Sequence, residues 1–207
     1  MKGVFAHWPN RITAIRFVGA LVLFVLFATW GEGAGPLSVG PGAMTQATFW
    51  LFLLVSLTDY LDGYLARRDN LVSAFGRIAD PFVDKVLVLG SMTFLTVMPW
   101  SREWFPTWVV VVVLAREFLV TGIRSYVESL GMSFAADKMG KIKMVVQCLA
   151  IGFALGSQAF KWEVIGIQVS WLETCTQILV WATLYTSVSS GWNYIVKARA
   201  LLAPKQS

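Results

Sequence analysis

Runs of about 20 apolar residues recur along the whole chain, and that recurrence leaves few folds open. Twenty residues rise roughly 30 Å as an α-helix, the thickness of a bilayer's hydrocarbon core. Within lipid only helices and closed barrels satisfy their own backbone, and a barrel would show ~10-residue alternating segments, absent here. With 57% hydrophobic and 14% charged residues, the composition also rules out an ordinary soluble domain. The expectation is an all-α polytopic membrane bundle of six transmembrane helices, one domain over residues 1–207, with a short interfacial segment at the N-terminus. The spans read 11–30, 45–66, 78–98, 106–127, 141–160 and 171–196. Asn10 reads as the N-cap of the first, and the Gly- and Pro-rich residues 31–44 as a loop. Pro81 either starts the third helix in its first turn or kinks it. Gly152 and Gly156 read as ordinary close packing rather than a dedicated dimer seam.

Charge sets the orientation. Fifteen of the seventeen Lys and Arg residues, Arg16, Arg116, Lys138 and Lys143 among them, fall at or near one face; only Arg102 and Lys161 fall toward the other. That bias places the termini and the Asp-rich loop on the cytoplasmic side of the membrane. Trp30, Trp50, Trp100, Trp104, Trp108, Trp162 and Trp171 gather at the opposite boundary, as an interfacial belt does. The basic residues are explained by topology and imply no nucleic-acid partner. Cys148 and Cys175 lie inside spans, which argues against a disulfide framework or a zinc site. His7 reads as an interfacial side chain.

Against this background stand four carboxylates: Asp59 and Asp62 near the end of the second span, Asp80 and Asp84 at the start of the third. One Asp at mid-membrane costs about 2.5–3.5 kcal/mol on insertion scales, so four in one place imply a bound counter-charge. Residues three or four apart share a helix face, and the intervening loop returns the chain to the same side, so the two pairs can converge. Asp59 lies about 10 Å of helix rise from Ala66, which puts the site at shallow depth. Hard carboxylate oxygens suit magnesium or manganese, and two divalent cations balance four charges while still accepting a diphosphate. Gly63 and Ala66 leave room for a flat ligand, and Arg67 supplies a planar fork for a phosphate. Arg116, Arg124, Lys138, Lys141 and Lys143 form a further group of bases that could build a basic pocket. Arg116 lies deep in an apolar run and needs a partner there; Glu117 reads as pairing with a base on a neighbouring helix.

Asp59, Asp62, Gly63, Ala66, Arg67, Gly76, Asp80 and Asp84 match every position of the signature of the CDP-alcohol phosphotransferases, with its eight- and three-residue gaps intact, and the chain resembles that family. The resemblance implies six membrane helices, commonly a homodimer, and transfer of a phosphatidyl or related group from a CDP-linked donor to an alcohol with release of CMP. It makes Asp59, Asp62, Asp80 and Asp84 ligands of two Mg2+ or Mn2+ ions, Asp84 also the general base, and Gly63, Ala66, Arg67 and Gly76 the seat of the donor's CMP part. The opening Pro9-Asn10-Arg11-Ile12-Thr13-Ala14-Ile15-Arg16, together with Arg116-Glu117, Arg124 and Gly140-Lys141-Ile142-Lys143, resembles the bacterial members that join CDP-diacylglycerol to glycerol 3-phosphate. This layer adds Asn10 and Thr13 to the donor side and assigns Arg116, Arg124 and Lys141 to the acceptor phosphate; Met144 departs from the pattern. Inositol phosphate, serine and phosphatidylglycerol are the alternative acceptors. Membrane prenyltransferases lack the Asp-Gly-x-x-Ala-Arg continuation, and a cation transporter would spread its acids along a pore.

Overall fold

In the computed structural model, which describes residues 8–31, 41–69, 74–132, 138–160, 162, 166 and 168–202, side chains are described except at 8–9, 30–31, 41, 59–69, 74–78, 138 and 202. Six α-helices follow one another: α1 Trp8–Gly31, α2 Pro41–Asp69, α3 Ala74–Val97, α4 Thr107–Ser129, α5 Lys138–Ala159 and α6 Val169–Leu202. None of the described residues forms a strand.

Every expected span is helical, and the differences lie at the ends. α1 begins at Trp8, so Asn10 is not an N-cap but a first-turn residue, and it is buried. Pro9 explains the early start: in a first turn its missing N–H costs no hydrogen bond. α2 begins at Pro41, which takes the end of the expected loop into the helix. Pro81 is neither a first-turn residue nor a break in α3, which runs through it from Ala74. A proline there leaves the carbonyl four residues earlier without its helical donor. Lys2 and His7 lie outside the described residues.

The best-defined connections are built from backbone hydrogen bonds. Between α3 and α4 the N–H groups of Ser101 and Arg102 donate to the Met98 carbonyl, those of Trp104 and Phe105 to the Ser101 carbonyl, and the Ser101 hydroxyl donates to the Leu95 carbonyl at 2.7 Å. This turn carries Trp104 and Phe105 into the core. After α4 the N–H of Gly131 donates to the Glu128 carbonyl, with φ +75° at the glycine, a left-handed closure that a Cβ would strain.

α1 packs against α2 and α3, α5 against α2, α3 and α6, and α4 against α3 and α6. The chain alternates in direction. Phe49 near the start of α2 meets Phe160 after the end of α5, and Phe27 near the end of α1 stacks on Phe94 near the end of α3 at 5.4 Å between ring centroids. α1 lies close to both partners because glycine faces them. A Cβ on Gly90 would lie 2.2 Å from the Phe24 ring, and one on Gly19 would lie 2.8 Å from Val55. Gly156 does the same for Phe49 at 3.2 Å whereas Gly152 meets nothing within 4 Å, so the pair acts through one residue, as ordinary packing does. Cys148 and Cys175 are free and half-buried.

The interior is more polar than a soluble core and the exterior more apolar than a soluble surface. Thr13, Arg16, Arg116, Glu117, Lys143, Ser187 and Ser190 are buried, while Val18, Leu54, Val111, Phe118, Ile178 and Tyr185 face outward. Such an inversion fits a lipid environment, where an outward apolar side chain costs nothing. Two helical stretches are long and apolar enough to cross a membrane, Asn10–Thr29 and Met139–Ala159, and Gly42–Thr58 is a shorter apolar one.

Candidate active site and metal centre

Asp80 and Asp84 stand one turn apart on α3, half-buried, and α1 reaches both. The Thr13 hydroxyl donates to Asp80 Oδ1, and Arg16 Nη2 donates to Asp84 Oδ1 as an ion pair. Thr13 and Arg16 are three residues apart, so a single face of α1 meets a single face of α3. Asn10, one turn before Thr13, is buried on that face. Next to Asp84, Lys85 Nζ donates to the Thr121 hydroxyl on α4, and that hydroxyl donates in turn to the Glu117 carbonyl at 2.7 Å. The opening motif and the end of the acidic signature, almost seventy residues apart in sequence, are therefore in contact.

Asp59, Asp62, Gly63, Ala66 and Arg67 belong to the last third of α2, and Gly76 to the first turn of α3. Their side chains lie outside the described residues, and so does any meeting of the two aspartate pairs. Among the described residues no three His, Cys, Asp or Glu side chains group as metal ligands; the described part of the site supplies two carboxylates. Those two have the right chemistry for Mg2+ or Mn2+: hard anionic oxygens, side by side on one face, at a half-buried position.

A second buried polar cluster joins α4, α5 and α6. Glu117 Oε1 accepts from Arg116 Nη1 and from Lys143 Nζ, with all three side chains below one-tenth exposed. The rest of the Arg116 guanidinium is engaged by α6. Nε donates to the Ser187 carbonyl at 3.1 Å, Nη2 donates to the Ser190 hydroxyl, and the group lies 5.8 Å from the Tyr194 ring centroid. Gly191 makes this possible, since a Cβ there would lie 3.0 Å from Arg116 Cγ. Glu117 thus pairs with a base on a neighbouring helix as expected, and Arg116 has its partner. The two other acceptor candidates lie elsewhere. Arg124 is half-exposed, 3.8 Å from Glu128 one turn on, and Lys141 is exposed in the first turn of α5. The side chain of Lys138 lies outside the described residues.

Arg16 and Lys143, which the charge count places at or near one face, are buried in the bundle, and so is Arg116, whose place in an apolar run called for a partner. Arg16 was also missed as a site residue. Its signal was present, a charge in mid-run three residues after Thr13, but a count of charges by face hides it. Ser187, Ser190, Gly191 and Tyr194 carried no signal, because small and aromatic residues in an apolar helix are ordinary.

Comparison with known proteins agrees with this geometry. The family model of the CDP-alcohol phosphatidyltransferases matches residues 6–189. A protein of Bacillus subtilis (strain 168) named CDP-diacylglycerol–glycerol-3-phosphate 3-phosphatidyltransferase is 33% identical over 91% of this chain and 93% of its own. Its namesakes in Rickettsia typhi and Shigella flexneri are 32% and 30% identical over 90% and 85% of this chain, covering 93% and 90% of theirs. A match that starts before Thr13, runs through the aspartates and Glu117 and reaches Ser187 covers most of the chain, and the chain belongs to the CDP-alcohol phosphatidyltransferase family.

Proposed function

We propose that this protein transfers the phosphatidyl group of CDP-diacylglycerol to glycerol 3-phosphate, giving phosphatidylglycerophosphate and CMP. The observation that carries the reading is the contact of the opening motif with the acidic signature, Thr13 on Asp80 and Arg16 on Asp84. The names of the relatives, which align over nine-tenths of their own length, supply the acceptor. Six spans crossing the inner membrane, one domain over residues 1–207, cytoplasmic termini and a paired assembly complete the proposal, supported by the charge bias and the family resemblance.

Asp59, Asp62, Asp80 and Asp84 would hold two divalent cations, which when bound neutralise the donor's diphosphate and stabilise the entering and leaving oxygens. Arg67 forks onto a phosphate, and Gly63, Ala66 and Gly76 leave space for the cytidine end, with Asn10 and Thr13 on the same donor side. Asp84 takes the proton from the glycerol 3-phosphate hydroxyl. The freed oxygen attacks the phosphorus that carries diacylglycerol, the phosphoanhydride bond breaks, and CMP leaves with the electron pair. Arg124, half-exposed, and Lys141, exposed, receive the acceptor's phosphate, and Arg116 is the buried member of the same group of bases. Purified protein with labelled CDP-diacylglycerol tests this directly. CMP release with glycerol 3-phosphate alone supports the reading; release only with inositol phosphate, serine or phosphatidylglycerol overturns the acceptor, and release with none overturns the reaction.

A further inference from the structure

We infer that Arg16 is a positioning residue for this reaction: acting through Asp84, it fixes the direction of that carboxylate and sets a permanent buried positive charge against it. The inference rests on the reading of Asp80 and Asp84 as metal ligands. An arginine that merely marks a membrane boundary runs its stem along the apolar surface and leaves its head in water. Arg16 does the opposite. Its side chain is 1% exposed, and its guanidinium ends on Asp84, a side chain 21% exposed and so open to exchange its partners. Thr13 treats Asp80 in the same way one turn earlier, and the close approaches at Gly19 and Gly90 set α1 firmly against α2 and α3. The guanidinium therefore cannot retreat far when the site fills.

Charge balance gives that position a purpose. On the proposed reading four carboxylates meet two dications, and the donor's diphosphate adds about two negative charges. Two guanidinium charges, that of Arg16 and, on the same reading, that of Arg67, bring the loaded site to neutrality. Before the donor arrives, the same Arg16 charge works against a dication at Asp84. Its removal must then act in opposite directions on the two ligands: the cation alone binds more tightly, and the anionic donor more weakly.

The test uses the full chain in detergent with Mn2+ as the probe, bound metal being read by electron paramagnetic resonance without donor. Arg16→Met is expected to tighten the Mn2+ Kd by about fivefold or more, to raise the KM for CDP-diacylglycerol, and to lower kcat. A residue that only supports the fold moves neither constant of the folded fraction, and cannot move them in opposite directions. Arg16→Lys keeps the charge but loses the planar fork, so Kd and KM stay within about twofold of wild type while kcat falls about tenfold. This variant also carries the test if Arg16→Met does not fold. If Asp80→Asn removes the Mn2+ site and Arg16→Met leaves Kd and KM unchanged, or if Arg16→Lys turns over like wild type, the Arg16 inference alone fails. If the wild-type chain has no Mn2+ site that Asp80→Asn removes, the metal reading fails and takes this inference with it.

Discussion

Two buried carboxylates in this molecule answer the same problem differently. Asp84 receives the guanidinium of Arg16 from the face of α1 and stays partly open. Glu117 receives two, from its own helix and from α5, and is sealed with both of them. A sealed carboxylate with two cations has no capacity left for a ligand, and separating the three would strand charge in the low dielectric. A half-open carboxylate can still trade its contacts with an arriving ligand. The comparison teaches that a buried charge alone does not mark a site; the remaining opening does.

The largest expected effect breaks the comparison on the Asp84 side. Asp84→Asn removes the proposed base and is expected to lower turnover by roughly 10²–10⁴-fold, while retention of CDP-donor binding and of the detergent Tm shows that the fold is intact. Normal turnover by this variant would remove Asp84 from its role. On the other side, Glu117→Gln leaves Arg116 and Lys143 facing each other without an anion, and breaking a buried pair in this way costs about 3–5 kcal/mol. A fall in Tm far larger than that of Asp84→Asn is the expected result; equal falls would erase the distinction between the two regions.

Glycine contacts sharpen the comparison at a smaller scale. Gly90→Ala forces a Cβ toward the Phe24 ring in the seam that carries Thr13 and Arg16 to their aspartates. Gly191→Ala presses instead on the stem of Arg116. Each overpacks its seam by about 1–3 kcal/mol in stability. Only the first also displaces the grip of α1 on the aspartates, so kcat should fall for Gly90→Ala beyond any change in Tm, and follow Tm for Gly191→Ala. A parallel assay of both variants at a temperature well below either Tm separates the cases.

These pairs also mark how far the sequence could be read. The helices among the described residues, and their rough bounds, were legible because apolar runs alternate with Gly-, Pro- or charge-rich stretches. Asp80 and Asp84 were legible because a charge in such a run is costly and because they sit at motif spacing. The start of α1 was not: Asn10 has cap chemistry, and only the extra turn from Trp8 turns it inward. Arg16 and Lys143 were assigned by proximity to a face, since one-dimensional reading cannot tell a cation at the boundary from one whose partner is many residues away in sequence. The seat of Arg116 needed α6, whose small residues acquire meaning only when a guanidinium lies on them.

The smallest expected effect concerns Arg124, a charge that resembles neither cluster. Its contact with Glu128 is 3.8 Å long between half-exposed and exposed side chains one turn apart, a class of pair that contributes about 0.3–0.5 kcal/mol. Arg124→Ala should therefore leave Tm nearly unchanged. Any larger effect must come from the acceptor: a guanidinium that holds the phosphate of glycerol 3-phosphate contributes a charge-assisted hydrogen bond of about 1.5–3 kcal/mol, roughly a 10- to 150-fold rise in KM for that substrate alone. The KM for CDP-diacylglycerol is the internal control. A rise in both constants places Arg124 with the boundary charges, and a rise in neither removes it from the acceptor pocket, leaving Lys141 as the exposed base to be tested in the same way.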